Sequence, residues 1–428
     1  MWFRRTACWR ERSVAMALGA LAASSSPVCA QSAYEPFGVR LGNVNLFPDA
    51  GVTLSYNDNV FSDRDNKQSD FVRAFEAGFN AETDWSRHKA TAEAQITNSV
   101  YLDNTVGDRN SLYGKLTGRI DITADDTLTL LTSIRRNSTL SGFNSLDSSS
   151  PASGDGQPGE NPDENLALPR QDASLLSQDP SLRDDQRIEY DDTLLQTSYE
   201  RDVNDLKVRV SGSYHTLDYN NEQANDLDRG DIRLTTRVTY SLSPSLGIYV
   251  QPSLSWQRFD TADDRDSRRQ SLLVGTTFNL SAIWIGDVGI GFTNENFRSD
   301  TLPDESNLAL NARLTWTPSA LTKVTFLLLR QQEADIRVSS SGSVTTSLET
   351  RVTHDFMSNL SAEIFGGYAL DEYSDKTQDR RTARFSLNYL LGRNLVLTAK
   401  AEHRERVSDD PNDEYDQNIL SIGLKARL

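Results

Sequence analysis

The stretch GVTLSYNDNVFSD, Gly51 to Asp63, decides how the chain is read. Val52, Leu54 and Tyr56 alternate with Gly51, Thr53 and Ser55, the two-residue period of a strand with one apolar face. Within a few residues the alternation gives way to Asn and Asp. A turn in a soluble β-protein and the first loop of a larger barrel both fit this stretch, and the remainder of the chain separates them.

The same alternation recurs to the C-terminus, in Leu112-Gly114-Leu116-Gly118-Ile120, Leu206-Val208-Val210-Gly212-Tyr214, Ile232-Leu234-Thr236-Val238-Tyr240 and Leu420-Ile422-Leu424-Ala426-Leu428. No segment has the 3.6-residue period of an amphipathic helix. The connections alternate too. Short ones such as ADD, DVND, SPS, GD and GRN take turns with long Asp- and Asn-rich ones such as NNEQANDLDRG, DTADDRDS, ENFRSDTLPDESN, DEYSDKTQD and RERVSDDPNDEYDQ. A soluble sandwich has no reason to keep its long loops at one end. An outer-membrane barrel does, with short periplasmic turns, long outer loops and strands of about ten residues. The pattern predicts an all-β fold, a transmembrane antiparallel β-barrel of the bacterial outer membrane with about 18 strands, 16 being the alternative.

Composition fits a barrel better than a packed core. Hydrophobic residues make up 37% of the 428, yet 6 Trp, 14 Tyr and 16 Phe set the chain apart from disordered sequences. A barrel with a solvated interior needs apolar side chains on its outer face only. Trp85, Tyr101, Tyr190, Tyr219, Tyr240, Trp284, Trp316 and Tyr389 fall near predicted strand ends and fit interfacial girdles.

MWFRRTACWRER, SVAMALGALAA and SSSPVCA follow one another as a basic, an apolar and a small-residue region, the order of a secretory signal peptide cleaved after Ala30. The expected organisation is a signal peptide over 1–30, a periplasmic segment over 31–48 and the barrel over 49–428. Within it, a Pro-, Ser- and Gly-rich outer loop over 139–187 either folds into the pore or extends outside. Cys8 and Cys29 both lie in the expected signal peptide, which removes disulfides and thiolate chemistry from the exported part. Loss of four Arg and one Glu there makes the net charge of −17 still more negative, the opposite of a nucleic-acid binder.

Strand parity assigns the inward residues. On the basic side are Lys115, Arg119, Arg135, Lys207, Arg209, Arg233, Arg237, Arg313, Lys323, Arg351, Arg384, Lys400, Lys425 and Arg427; on the acidic side, Glu76, Glu82, Glu93, Asp121, Glu349, Glu363 and Glu402. A two-to-one excess of cations along a pore attracts anions. The same residues also fit cross-strand ladders that only hold neighbouring strands together. The acidic outer loops read as solvated surface or as sites where divalent cations bridge to lipopolysaccharide phosphates. No nucleophile elbow, phosphate-binding loop or metal-ligand spacing is present, so no cofactor, metal or catalytic residue is expected. His215, inward and near Asp218, and His403 are the only candidates for a lipid-modifying barrel enzyme.

GVTLSYNDNVFSD, followed by SDFVRAFEAGFNAETDWSRHKATAEAQITNSVYLDN, resembles the opening of the outer-membrane β-barrel porins that accompany bacterial exopolysaccharide and capsule loci. The Tyr-x-Asp-Asn-Val end of the first strand and the Trp-Ser-Arg-His turn carry the likeness, which is densest over 51–104. It implies an outer-membrane exit for an exopolysaccharide, an anionic one given the basic lumen, working with periplasmic polysaccharide-export proteins. Outer-membrane lipids, lipopolysaccharide and the barrel-assembly machinery are the other expected partners. A diffusion porin for small solutes is the alternative. Many such barrels end in Phe; this chain ends in Leu428.

Overall fold

A strand with one apolar face leaves its backbone amides unpaired at both edges, and in hydrocarbon only a closed ring of strands satisfies them all. The computed structural model closes that ring. It describes residues 34–140, 187–220, 226–281, 283–333, 342–374 and 376–428. The expected signal peptide and nearly all of the 139–187 connection lie outside the described residues.

The strands are β1 (Val39–Leu41), β2 (Val44–Asn57), β3 (Asp70–Thr83), β4 (His88–Tyr101), β5 (Arg109–Asp121), β6 (Asp126–Leu140), β7 (Arg187–Val203), β8 (Leu206–Tyr219), β9 (Arg229–Ser243) and β10 (Leu246–Phe259). They continue with β11 (Ser267–Leu280), β12 (Trp284–Phe297), β13 (Glu305–Ser319), β14 (Thr322–Glu333), β15 (Ser343–Met357), β16 (Leu360–Tyr373), β17 (Thr377–Leu390), β18 (Leu395–Ser408) and β19 (Tyr415–Arg427). Each of β2 to β19 pairs antiparallel with its sequence neighbours, and β19 returns to β2 from Arg427 opposite Asp49 to Ile419 opposite Asn57. The result is an 18-stranded barrel, with β1 as a short hairpin on the lower end of β2.

Register turns the alternation into two surfaces. Val208, Val238, Val250, Val274, Ile290 and Leu310 face one another in one row across six strands. Val238, Val250, Val274 and Ile290 are among the exposed apolar side chains, as a lipid-facing band requires. Trp284 stacks on Trp316 at 5.4 Å near the short-turn end, with Tyr240 and Tyr389 exposed on the same face. Three expected girdle members are corrected. Tyr101, Tyr190 and Tyr219 are buried and share the inward parity of Glu93, Asp192 and His215, and the rings of Tyr190 and Tyr219 pack 5.9 Å apart.

The strand ends also move relative to expectation. β2 begins at Val44, inside the segment assigned to the periplasm, because Val44 to Pro48 pair with Thr83 to Phe79. Pro48 turns its carbonyl toward the Leu428 amide at 3.0 Å, so the donor it lacks falls at the end of the β2–β19 ladder and not inside it. DEYSDKTQD, expected as a long loop, is mostly strand: β16 runs to Tyr373 and β17 resumes at Thr377. Asp371 there accepts bonds from Arg380 (2.7 and 2.8 Å), Gln378 (3.0 Å) and Thr345 (2.8 Å). Polar residues read as loop because their partners lie on neighbouring strands.

The acidic outer loops have a repeated structural role. Asp108, Asp228, Asp266 and Asp304 each accept the amide of the aromatic residue that ends the preceding strand, Tyr101 (2.7 Å), Tyr219 (2.6 Å), Phe259 (2.9 Å) and Phe297 (3.2 Å). Asp70 accepts the amides of Leu102, Asp103 and Asn104 and ties the β4–β5 loop to β3. A carboxylate is the side chain that can satisfy several such donors at once.

The opening stretch itself closes the seam. Above Asp58, whose amide donates to the Asn418 carbonyl at 3.2 Å, the β2 backbone leaves β19 and side chains continue the ladder. The Asn418 amide donates to Asp58 Oδ1 at 2.7 Å, and Asn59 Nδ2 donates to the carbonyls of Asp63 (2.7 Å) and Asp416 (2.9 Å). Gln417 Nε2 donates to the Asn59 carbonyl at 2.6 Å, and Asn59 and Val60 are fully buried. Asn59→Ala removes the side-chain bonds that tie the Asp63 and Asp416 carbonyls together, at about 0.5–1.5 kcal/mol each. The expected result is a lower urea midpoint and faster tryptic cleavage after Arg64 and Lys67; unchanged cleavage would show that the latch is redundant.

Candidate functional site

In a barrel of this strand number the inward side chains line an interior wide enough for an aqueous channel. The register places all fourteen predicted cations and all seven predicted acids, Lys115 to Arg427 and Glu76 to Glu402 as named above, opposite the lipid-facing row. Arg209 stands opposite Arg237, Glu93 opposite Lys115, and Arg313, Leu327 and Glu349 form one row.

The register also adds inward residues that sequence reading missed. They are the cations Lys89, Arg109, Arg229, Arg269, Arg380, Arg404 and Arg406, and the acids Asp49, Asp70, Asp192, Glu200, Asp202, Asp231, Asp287, Glu295, Glu305, Asp355 and Asp371. The two-to-one cationic excess of the smaller set thereby falls to near parity. Many of the missed acids sit near strand ends, where polar residues on both faces hide the alternation. Continuing the parity outward by two residues would have found Asp371 and Arg406.

Most inward cations are bound to these acids. On one wall, Arg209 reaches Glu200 at 2.7 Å and Lys207 reaches it at 3.0 Å. Arg269 holds Glu295 at 2.8 Å, and Arg237 binds Asp287 while lying 3.6 Å over the Tyr249 ring. Tyr249 donates to Asp287 at 3.0 Å and lies against Gly289, where a Cβ would come within 2.3 Å of its hydroxyl. On the other wall, Arg384 Nε donates to Glu402 at 2.9 Å, Arg404 binds the same carboxylate, and Lys425 bridges Asp49 (3.2 Å) and Glu76 (3.6 Å). Arg351 faces Glu363 at 3.7 Å. Such pairs tie strand to strand and cancel each other's field in the lumen.

The exceptions are unevenly placed. Among the described residues, Arg109, Arg135, Arg233 and Lys400 make no hydrogen bond and no ion pair to a carboxylate; Arg135 only overlies the Tyr113 ring at 5.7 Å. They lie from the outer rim to the middle of their strands. Among the described residues, the inward acids without a hydrogen bond or ion pair are Glu82 and Asp355, both within three residues of the short-turn end. Arg233 nonetheless lies near Asp231 and Glu295, and Lys400 near Glu402, so the positive charge left without an acid nearby is that of Arg109 and Arg135 in the outer part of the lumen.

The histidines do not form a catalytic pair. His215 is buried between Asp192 (3.0 Å) and Asp231 (3.5 Å), with Asp218 on the opposite, outward face, so both ring nitrogens already face carboxylates. His403 is exposed on the lipid side and bonds Asn418 at 2.9 Å.

A family model described as "Putative beta-barrel porin 2" matches residues 31–152 and 165–428. No curated protein matches the sequence. Among solved structures, the chain is similar to the outer membrane protein OpdK of Pseudomonas aeruginosa, with 11% identity over 90% of this chain and 99% of that one and a TM-score of 0.45. OccK2 (OpdF) of the same organism matches with 11% identity over 92% and 99% and a TM-score of 0.45. A BenF-like porin from Pseudomonas fluorescens matches with 11% identity over 90% and 99% and a TM-score of 0.44.

Proposed function

From the premise that the chain belongs to the family described as "Putative beta-barrel porin 2", we propose that it is a passive outer-membrane diffusion channel for small hydrophilic solutes that prefers anions. The family and the closed barrel make it a porin-like channel of the outer membrane, and the solute class and charge preference are the proposal. The observation that carries it is the pair Arg109 and Arg135, inward cations toward the outer rim with no carboxylate beside them among the described residues, set against Glu82 and Asp355, acids without a hydrogen bond or ion pair near the short-turn end. An ion in the outer half of such a lumen meets net positive charge, which concentrates anions and repels cations.

Export of an exopolysaccharide was the expectation drawn from the likeness of the opening stretch. In the fold, Asn57, Asn59 and Val60 of that stretch are buried at the seam between first and last strands, so the signature has a structural use independent of any polymer. Liposome swelling with the purified barrel tests the proposal. Small organic anions should enter several-fold faster than neutral sugars or cationic amino acids of equal size. No swelling with any small solute, together with lost surface polysaccharide in a strain lacking the chain, would replace diffusion with export.

A further inference from the structure

Arginines on the lipid-facing surface near the outer strand ends fall into two classes. Arg136 is held by Asp191 on the adjacent strand (2.7 and 2.6 Å), Arg330 by Glu372 (2.6 Å) and Arg381 by Glu405 (3.1 Å). Arg258, second from the end of β10, and Arg268, second from the start of β11, have no such partner among the described residues. Both are exposed and share outward parity with Val250 and Leu272. The Arg268 guanidinium lies 6.0 Å over the ring of Trp256, the residue directly opposite it.

Trp256 faces Arg268, so Arg258 is the diagonal neighbour of Arg268, at about 7–8 Å between side-chain origins. Two cations at that spacing repel unless an anion bridges them, and the acid beside them, Asp266, already accepts the Phe259 amide and pairs with Arg298 at 3.3 Å. Their height favours one source of that anion. Each of these strands has 14 residues; at about 3.4 Å each and a tilt of about 40°, such a strand rises roughly 36 Å, about 11 Å more than the apolar band of such barrels. Half of that excess, about two residues, lies beyond the hydrocarbon at each end, which puts both arginines at headgroup level above Leu272, Val250 and Val274. Further out on the same side stand the exposed Asp260 and Asp218. A soluble anion approaching from the aqueous side meets their negative charge, whereas a lipid phosphate arriving within the leaflet does not.

We propose that Arg258 and Arg268, with Trp256 beside them, bind the phosphate of a phosphorylated glycolipid of the outer leaflet. Guanidinium groups bind phosphate with paired hydrogen bonds, and the indole covers the adjoining sugar or acyl surface. The site rests on the barrel's place in the outer membrane and is independent of what the lumen conducts.

The test titrates the purified full chain in detergent with lipid A and with dephosphorylated lipid A, and counts bound lipid by native mass spectrometry. Lipid A should bind the wild type at least about tenfold more tightly than its dephosphorylated form, as loss of charge-assisted hydrogen bonds implies. R258Q/R268Q should abolish that preference, while R136Q, which removes an already paired cation, should keep it. Both substituted side chains are exposed, and heat-dependent gel migration verifies that the double variant is folded. Equal lipid A binding by wild type and double variant, or equal binding of the dephosphorylated form, overturns the proposal. Full competition by inorganic phosphate would instead assign the arginines to soluble anions and overturn it as well.

Discussion

Reversing Arg135, Arg233 and Lys400 together to Glu is expected to convert an anion-preferring channel into a cation-preferring one, read as a change in sign of the reversal potential across a planar bilayer under a salt gradient. At a distance of about 7 Å and the dielectric of water, each charge acts on a passing ion with about 0.6 kcal/mol, so each reversal changes that by about 1.2 kcal/mol, close to tenfold in local ion concentration. Screening at about 0.1 M salt acts over roughly 10 Å, so the effect should shrink, without vanishing, as salt is raised. These positions are suited to the experiment because, among the described residues, none makes a hydrogen bond or an ion pair to a carboxylate. Arg209 and Arg237 are unsuited, since Glu there would face Glu200 and Asp287 and confuse selectivity with folding. Neutralising Arg209 and Glu200 as a pair should leave the reversal potential near the wild-type value. An unchanged potential in the triple variant would mean that these side chains do not line the conducting path.

Glu402→Ala should be the most damaging single substitution in the barrel wall. The side chain is 3% exposed and binds both Arg384 and Arg404, themselves about nine-tenths buried. Removing one partner of a buried pair leaves uncompensated charge and costs about 3–5 kcal/mol, and here two guanidinium groups are left facing each other. Urea unfolding of the barrel in lipid vesicles, followed by tryptophan fluorescence, measures the loss. Glu402→Gln retains the acceptor oxygen and should cost less. Glu405, three residues along the same strand but on the opposite face, supplies the contrast: its pair with Arg381 is half exposed, and Glu405→Ala should cost no more than about 1 kcal/mol. Equal effects at the two positions would mean that burial on the inward wall carries no weight.

The reading of Tyr101, Tyr190 and Tyr219 shows where sequence reasoning went astray. Their position near strand ends suggested a girdle, yet their parity is inward, and parity was legible in Glu93, Asp192 and His215 on the same strands. Proximity to a strand end is shared by both faces, and only the two-residue period distinguishes them. The basic excess failed for a related reason. Partners such as Arg237 and Asp287 lie 50 residues apart, and nothing local to either reveals the other.

By itself, the sequence determined the barrel, its eighteen strands, the alternation of short and long connections and the strand parity of every predicted cation and acid. These follow from a two-residue period and from loop length, which are local properties of the chain. Only the tertiary structure decided which charges are neutralised and which remain free, and that NDNV seals the junction of first and last strands. Those outcomes depend on the register between strands distant in sequence. A shift of one residue would exchange every inward side chain for its lipid-facing neighbour, and a shift of two would give each cation a different partner.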